Sequence, residues 1–353
     1  MGFGGQEIRI VAEARWLLDH GWSVLIAGQP GSHLLRESER LGLPAVGVRM
    51  RRSLDIGALL RLRRLIGERD VALVHTHSSI DSWLGGLAGR SCRRPVVRSR
   101  HVTIAIPRRR ALVYRLADRV ISSGEAAARV VAAAGVPVAR IVPIPPGVDT
   151  ARFHPAVTGT GVRRELGLDG APLVGLVANI RGSKGHEVFL QAARAVLARE
   201  PAARFLIVGD GIGFEDVRRR VGALGLDDVV HMTGFRRDVP EVMAALDVLV
   251  LPSTRSEAAS QVIPQALAVG TPVVATDVGG SRELVRDGDT GRLVRAGDAA
   301  ELAAAIADCL TDRSGARAMA RRGQALVREC HSLDAVMART TAVYRDLLGS
   351  EIP

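Results

Sequence analysis

Short apolar runs alternate with stretches of 3.6-residue periodicity along the whole chain, the pattern of parallel α/β sheets covered by helices. In the first half, apolar runs predict strands at Ser23–Ala27, Val71–His75, Pro95–Ser99, Arg119–Ser122 and Ile141–Ile144. Helices are predicted near Gly5–His20, Ile56–Arg69, Ser82–Gly89 and Gly124–Ala134. In the second half, strands are predicted at Leu173–Ala178, Arg204–Gly209, Val229–Met232, Val248–Leu251 and Pro272–Ala275. The helices between them fall near His186–Ala198, Phe214–Leu224, Val239–Ala245 and Ser260–Val269, and a last one covers Ser332–Leu348. The connection Pro143–Gly159 carries four prolines and reads as a domain boundary. At 353 residues the chain can bury two cores, so domains at 1–150 and 151–331 are expected.

Two segments carry candidate chemistry. In Ser256–Thr276, a loop with the carboxylate Glu257 leads into a helix for which Ser260 is a candidate N-cap. Free N–H groups at that helix start, beside a loop carboxylate, suit a diphosphate with a hydroxyl-rich group next to it. Gln265, eight positions after Glu257, lies on the second turn, within reach of a polyol such as a ribose. The alternative is an amphipathic helix on a sheet with one incidental acid. The second segment contains the only lysine among 48 basic residues, Lys184, in Ile180-Arg181-Gly182-Ser183-Lys184-Gly185-His186. It follows the apolar run Leu173–Ala178, so it sits at a strand end, where ligands of open α/β sheets bind. An ammonium is a compact point charge suited to a phosphate oxygen, and a solvated loop lysine is the alternative.

These segments resemble the retaining glycosyltransferases of family 4 (group 1). That family carries Glu, seven residues, Glu, then Ala-x-Ala-x-Gly-x-Pro-Val-Val-Ala. Here Glu257 matches the first acid, Gln265 replaces the second, and Ala266, Ala268, Gly270, Pro272 and Val273 match the rest. The resemblance implies that Glu257 lies against the donor sugar and Gln265 binds the nucleotide ribose, with Ala259 and Ser260 beside them. It also implies that Arg181 and the Lys184-Gly185 pair hold the donor diphosphate, although the usual spacing would put the arginine near Asn179. Gly4-Gly5-Gln6-Glu7 is similar to the family's glycine loop, Gly209-Asp210-Gly211 to a turn at the cleft rim, and Phe235-Arg236 to a loop that holds the nucleobase through its backbone. Pro145-Pro146-Gly147-Val148-Asp149, with Phe153, resembles the family's hinge motif with Pro146 in place of Asn. His101 stands where the family carries a histidine near the sugar and its departing phosphate. The implied fold is GT-B, two Rossmann-like domains with parallel sheets facing a central cleft. The last helix would then pack back on the first domain. Such a domain should open with a strand, yet this sequence starts at the loop that follows it. The expectation is therefore that the first strand of the N-terminal domain is missing from this sequence because the start has been placed too late.

Composition adjusts this picture in three places. The net charge of +11 lies wholly in the first half: residues 1–150 hold 23 arginines against 12 acids, and the remainder holds 25 basic residues against 25 acids. That half favours an anionic acceptor or membrane surface, against which stands a plain arginine-rich solvated face. Nucleic acid fits poorly because aromatic residues are only 3%. Cys92, Cys309 and Cys330 have no pairing or metal spacing, and no apolar run reaches membrane-spanning length. A cytoplasmic protein, peripheral on the inner membrane face, is the expectation. His75 with His77, and Asp287-Gly288-Asp289, imitate metal motifs. The first lacks a third ligand and the second is turn chemistry, so no metal and no cofactor are expected. The expected function is retaining, metal-independent transfer of a sugar from a nucleotide-diphosphate donor to a glycolipid, lipid-linked or other saccharide acceptor. Two rivals remain: a nucleotide-sugar epimerase of the same fold, and a non-catalytic nucleotide-sugar-binding scaffold.

Overall fold

The computed structural model describes residues 4–255, 257–258 and 260–349. They divide into two units, one running to Gly147 and taking back the chain from Leu333 onward, the other Val148–Ser332. The first unit holds helices α1 (Gly5–Asp19), α2 (His33–Arg40), α3 (Ile56–Glu68), α4 (Ser79–Ser91), α5 (Arg108–Ala111) and α6 (Glu125–Ala133). Its strands are β1 (Ile26–Gly28), β2 (Ala45–Gly47), β3 (Val74–Thr76), β4 (Val96–Arg100), β5 (Arg119–Ser122) and β6 (Ile141–Pro143). Among the described residues these form two parallel sheets, β1-β2 and β3-β4-β5-β6, with no strand joining β1 to β3.

The second unit contains β7 (Leu173–Val177), β8 (Arg204–Val208), β9 (Val230–Gly234), β10 (Val248–Leu251), β11 (Val273–Thr276) and β12 (Arg292–Val294). Its helices are α7 (Thr160–Leu166), α8 (His186–Leu197), α9 (Phe214–Ala223), α10 (Val239–Ala245), α11 (Val262–Val269), α12 (Ser281–Leu284), α13 (Ala299–Thr311) and α14 (Arg313–Leu326). The strands form one parallel sheet in the order β12-β11-β10-β7-β8-β9. Alternate residues of each run face opposite layers. Val174, Leu176, Phe205, Ile207, Val248 and Val250 pack on α8 and α13. Leu173, Val177, Leu206, Val208, Leu249 and Leu251 pack on α10 and α11. Burial on both faces is why these runs are continuously apolar rather than alternating.

The last helix, α15 (Leu333–Leu348), returns to the first unit and buries Val336, Met337 and Tyr344 against Val97, Ile121 and Ile144. One predicted element is corrected. Ser260 does not cap the helix after Glu257: α11 begins at Val262, its N-cap position is Gln261, and no side chain caps it. Pro264 sits in its first turn, where a missing N–H costs no helical bond.

Candidate active site

The sheet order of the second unit decides where its chemistry collects. β7 opens the sheet and lies between β8 and β10, so the chain builds one half outward from β7 and then returns to β10 for the other. At such a reversal the loops leave for opposite faces, and a crevice opens at the carboxyl ends of the two strands. Lys184 lies in the loop after β7 and Glu257 in the loop after β10. Lys184 Nζ stands 2.6 Å from Glu257 Oε2, and Ser253 Oγ donates to the same oxygen at 2.8 Å. The two charged side chains are only 12% and 8% exposed, so they form a largely desolvated pair.

Backbone contacts lock the two loops together. Thr254 N donates to Ser183 O at 3.0 Å, and Gly280 N donates to Glu257 O at 2.8 Å. Thr276 Oγ1 donates to Ser253 O at 2.6 Å. Gly185 has φ +71°, and a Cβ there would stand 1.8 Å from Pro252 O. A side chain at that position is therefore excluded where the β7 loop crosses the β10 loop. Gly279 and Gly280, after β11, press on Glu257 and Ala258 in the same way, and both are additions to the sequence-derived set. Their signal was a Gly-Gly pair at a strand end, Asp277-Val278-Gly279-Gly280.

Arg181 precedes the short turn that carries Lys184; it is exposed and its guanidinium has no partner among the described residues. His186 opens α8, is 4% exposed, and its Nε2 has no hydrogen-bond partner among the described residues. Burial, and secondarily the Lys184 charge, push its pKa down to about 4. The sign follows directly. An unfolded histidine binds a proton near pH 6.5 and this one does not until about pH 4, so acid favours the unfolded chain. Stability is complete above pH 6.5 and falls as pH drops from 6.5 towards 4. At about 1.4 kcal/mol per pKa unit, His186 alone removes about 3 kcal/mol. The melting temperature should drop between pH 7.5 and pH 5, and less so in His186→Phe; identical melts at both pH values would contradict this.

The other sequence-derived candidates are distributed as follows. Gln265 is half-buried on α11, its N–H bonded to Gln261 O, and Ser260 is buried. Ala259 lies outside the described residues. Gly211 follows β8; a Cβ on it would meet Ile180 O at 2.5 Å, so it is required by packing of the β8 loop on the β7 loop. Phe235 follows β9 and is 59% exposed. The Arg236 side chain is not free for a ligand. It bonds Glu165 at 2.7 and 2.8 Å and Asp238 at 2.9 and 2.5 Å, and these carboxylates raise its pKa. Only its backbone remains available to a nucleobase. Asp287 bonds Leu293 N, and Asp289 pairs with Arg322 at 2.7 Å, so the Asp-Gly-Asp segment is committed internally. Among the described residues no three His, Cys, Asp or Glu side chains converge in a metal-binding arrangement.

In the first unit, Gly4 caps α1 and its N–H bonds Glu7 Oε2 at 3.0 Å, while Gly5 is the first helical residue. His101 follows β4, and its Nε2 lies 3.2 Å from Nδ1 of His77, which follows β3. His75 bonds Tyr344 Oη at 2.7 Å and Ser99 Oγ at 2.8 Å. Arg9 and Glu13 form a buried 2.6 Å ion pair on α1, and Arg9 Nη1 donates to Ile144 O at 3.2 Å. His77, Arg9 and Glu13 are additions to the sequence-derived set.

The family models match both units. "Glycosyltransferase Family 4" covers residues 3–152 and "Glycosyl transferases group 1" covers 171–312. A GDP-mannose-dependent alpha-(1-6)-phosphatidylinositol monomannoside mannosyltransferase of Mycolicibacterium smegmatis is 33% identical over 281 residues, 75% of this chain and 74% of the relative. The chain belongs to the family 4, group 1 glycosyltransferases. A D-inositol 3-phosphate glycosyltransferase of Nocardia farcinica is 35% identical over 293 residues, 74% of this chain and 63% of the relative. Across the first three relatives the match spans 48% to 63% of their length. Anabaena HepE, solved in complex with UDP, superposes with a TM-score of 0.87 at 25% identity, covering 98% of this chain and 97% of its own. The fold is thus GT-B, each unit a Rossmann-like α/β domain.

Proposed function

We propose that this family 4 glycosyltransferase moves a sugar, with retention and without a metal, from a nucleotide-diphosphate donor to a saccharide or glycolipid acceptor. The observation that carries this reading is the Lys184–Glu257 pair, desolvated at the switch point of the second unit, with Arg181 unpaired beside it. Arg181 and Lys184 hold the diphosphate and stabilise charge as it builds on the leaving phosphate, helped by the amide groups at the start of α8. Glu257 orients the donor sugar as its anomeric carbon gains positive character. Gln265 binds the ribose, Ser260 and Gly211 line the donor side, and the Phe235-Arg236 backbone holds the base. In the first unit, Gly4 and Gly5 bind the donor as well, His101 assists at the sugar, and the remaining surface serves the acceptor. The UDP bound to HepE, and the inositol and lipid acceptors in the names of the two relatives, support this division of roles.

Thermal shifts against UDP, GDP, ADP and their sugar conjugates test the donor site. A selective nucleotide at a hundredfold excess over its dissociation constant should stabilise the fold by about 2.7 kcal/mol. Lys184→Ala should weaken that binding by about 10- to 100-fold, the worth of one charged hydrogen bond. A variant that binds as tightly as wild type would remove Lys184 from the diphosphate site, and no shift with any nucleotide would sink the donor reading. Transfer that persists in EDTA is the expectation for metal-independent chemistry.

Attachment to an anionic membrane is part of the same proposal. Residues 49–64 carry six arginines and one acid, and Asp55 is spent on capping α3 and bonding Arg51 N. Leu54, Ile56 and Leu60 on that segment are 68%, 71% and 56% exposed, so apolar and cationic groups share one surface. Co-sedimentation with phosphatidylglycerol vesicles, but not phosphatidylcholine vesicles, is expected; equal recovery with both would refute it. Among the described residues no helix is long and apolar enough to cross a membrane.

A further inference from the structure

Five ionisable or hydroxyl-bearing side chains in the first unit form a connected polar group at the carboxyl ends of β3 and β4. His77 is its central member. Its Nδ1 lies 3.2 Å from His101 Nε2, the rings being nearly parallel at 16° with centroids 5.4 Å apart. Its ring stands 4.2 Å from that of His75, which is itself anchored by Tyr344 and Ser99. Its backbone N–H bonds Asp81 Oδ2 at 2.8 Å, which fixes the main chain from which the ring projects. His101 Nδ1 has no protein partner among the described residues.

Two imidazoles this close can share only one hydrogen: one ring must donate and the other accept. Whichever donates, the contact commits His101 to one tautomer and one ring orientation, as a second group does for a catalytic or metal-bound histidine. We propose that His77 is a positioning residue for His101, holding its Nε2 so that Nδ1 is the ring nitrogen presented to the substrate. This rests on the reading that His101 meets the substrate. The groups facing the dyad are Arg9 and Glu13 from α1, Asp81 from α4, His75 from β3, Tyr344 from α15 and Arg100 from β4. Burial first, and the Arg9 charge among the lesser causes, keep all three histidines below the ordinary value, while Glu13 and Asp81 pull His77 back towards it. Burial thus favours the uncharged form of these rings.

The test compares His77→Phe, His77→Asn and His77→Asp in the full chain, using nitrogen NMR of labelled histidine and the rate of donor-sugar transfer or hydrolysis. In wild type, His101 should show one tautomer. His77→Phe should release it to a tautomer mixture and lower kcat by about 10- to 100-fold with KM for the donor nearly unchanged, the cost of a misplaced group. His77→Asn, which can place an amide where Nδ1 stood, should restore most of the rate. His77→Asp puts a carboxylate beside His101, raises its pKa and moves the acid limb of the pH–rate profile upward. A His101 spectrum and pH profile identical in wild type and His77→Phe would overturn the inference. The NMR result stands even if the protein proves to transfer no sugar, so failure of the functional reading and failure of the dyad are separable. Should His77→Phe not fold, His77→Asn and His77→Asp give the same comparison: a profile unmoved by Asp is a negative result.

Discussion

Glu257→Gln is expected to lower sugar transfer by about 10²- to 10³-fold, the usual cost of removing one charged group aimed at the transition state. Glutamine keeps the shape and an acceptor oxygen but loses the charge that the developing cation on the sugar needs. The same change strips Lys184 of its partner in a site where the ammonium is 12% exposed. Leaving a buried charge uncompensated costs on the order of 3 kcal/mol, so the melting temperature should fall as well. Nucleotide binding should not weaken, because the freed ammonium is then wholly available to the diphosphate. The double variant Lys184→Ala/Glu257→Gln separates these effects: removing both partners should recover much of the stability and none of the activity. Turnover within about threefold of wild type in Glu257→Gln would take Glu257 out of the reaction, since losses from charged transition-state contacts are far larger.

Legibility of the molecule in its sequence follows how local each feature is. Val248–Leu251 was bounded correctly because a strand buried on both faces is an uninterrupted apolar run between polar turns. β2, β12, α2, α7, α13 and α14 were among the elements missed. β12 is three residues long, and α13 is so rich in alanine that its periodicity is faint, although Asp298 caps it through Glu301 N at 2.9 Å. Lys184 and Glu257 could each be singled out, one as the sole lysine and the other from its motif. Their contact could not be seen, because it joins residues 73 apart and depends on β10 pairing with β7. The same holds for His77 and His101, which meet only because β3 and β4 are neighbours. Arg236 shows the same limit for a side chain. Its expected role runs through the backbone, and the partner of its guanidinium, Glu165, lies 71 residues away where no local motif shows it. Local chemistry was readable; pairing across the sheet was not.

Gly279→Ala is expected to damage the enzyme almost as much as losing Glu257, without touching any reacting atom. At φ +57° a non-glycine residue costs roughly 1–2 kcal/mol of backbone strain. That cost alone would leave a folded and active protein. The larger effect is steric: the new Cβ would stand 2.0 Å from Glu257 O and 3.1 Å from Glu257 N, both backbone atoms that cannot rotate away. Either the Gly279-Gly280 turn moves and breaks the 2.8 Å bond from Gly280 N to Glu257 O, or the Glu257 loop moves and carries the carboxylate off its position. A displacement of about 1 Å at a reacting centre is worth about 10²-fold in rate. Gly297→Ala is the matched control, because Gly297 has φ +79° and nothing within 4 Å of an added Cβ. It carries the same backbone strain and no clash. Both variants should therefore melt lower, Gly279→Ala by more because of its clash, and only Gly279→Ala should lose turnover. Equal activity in both would mean that the Glu257 loop does not need this support, and the placement of the carboxylate would have to be explained by Ser253 and Lys184 alone.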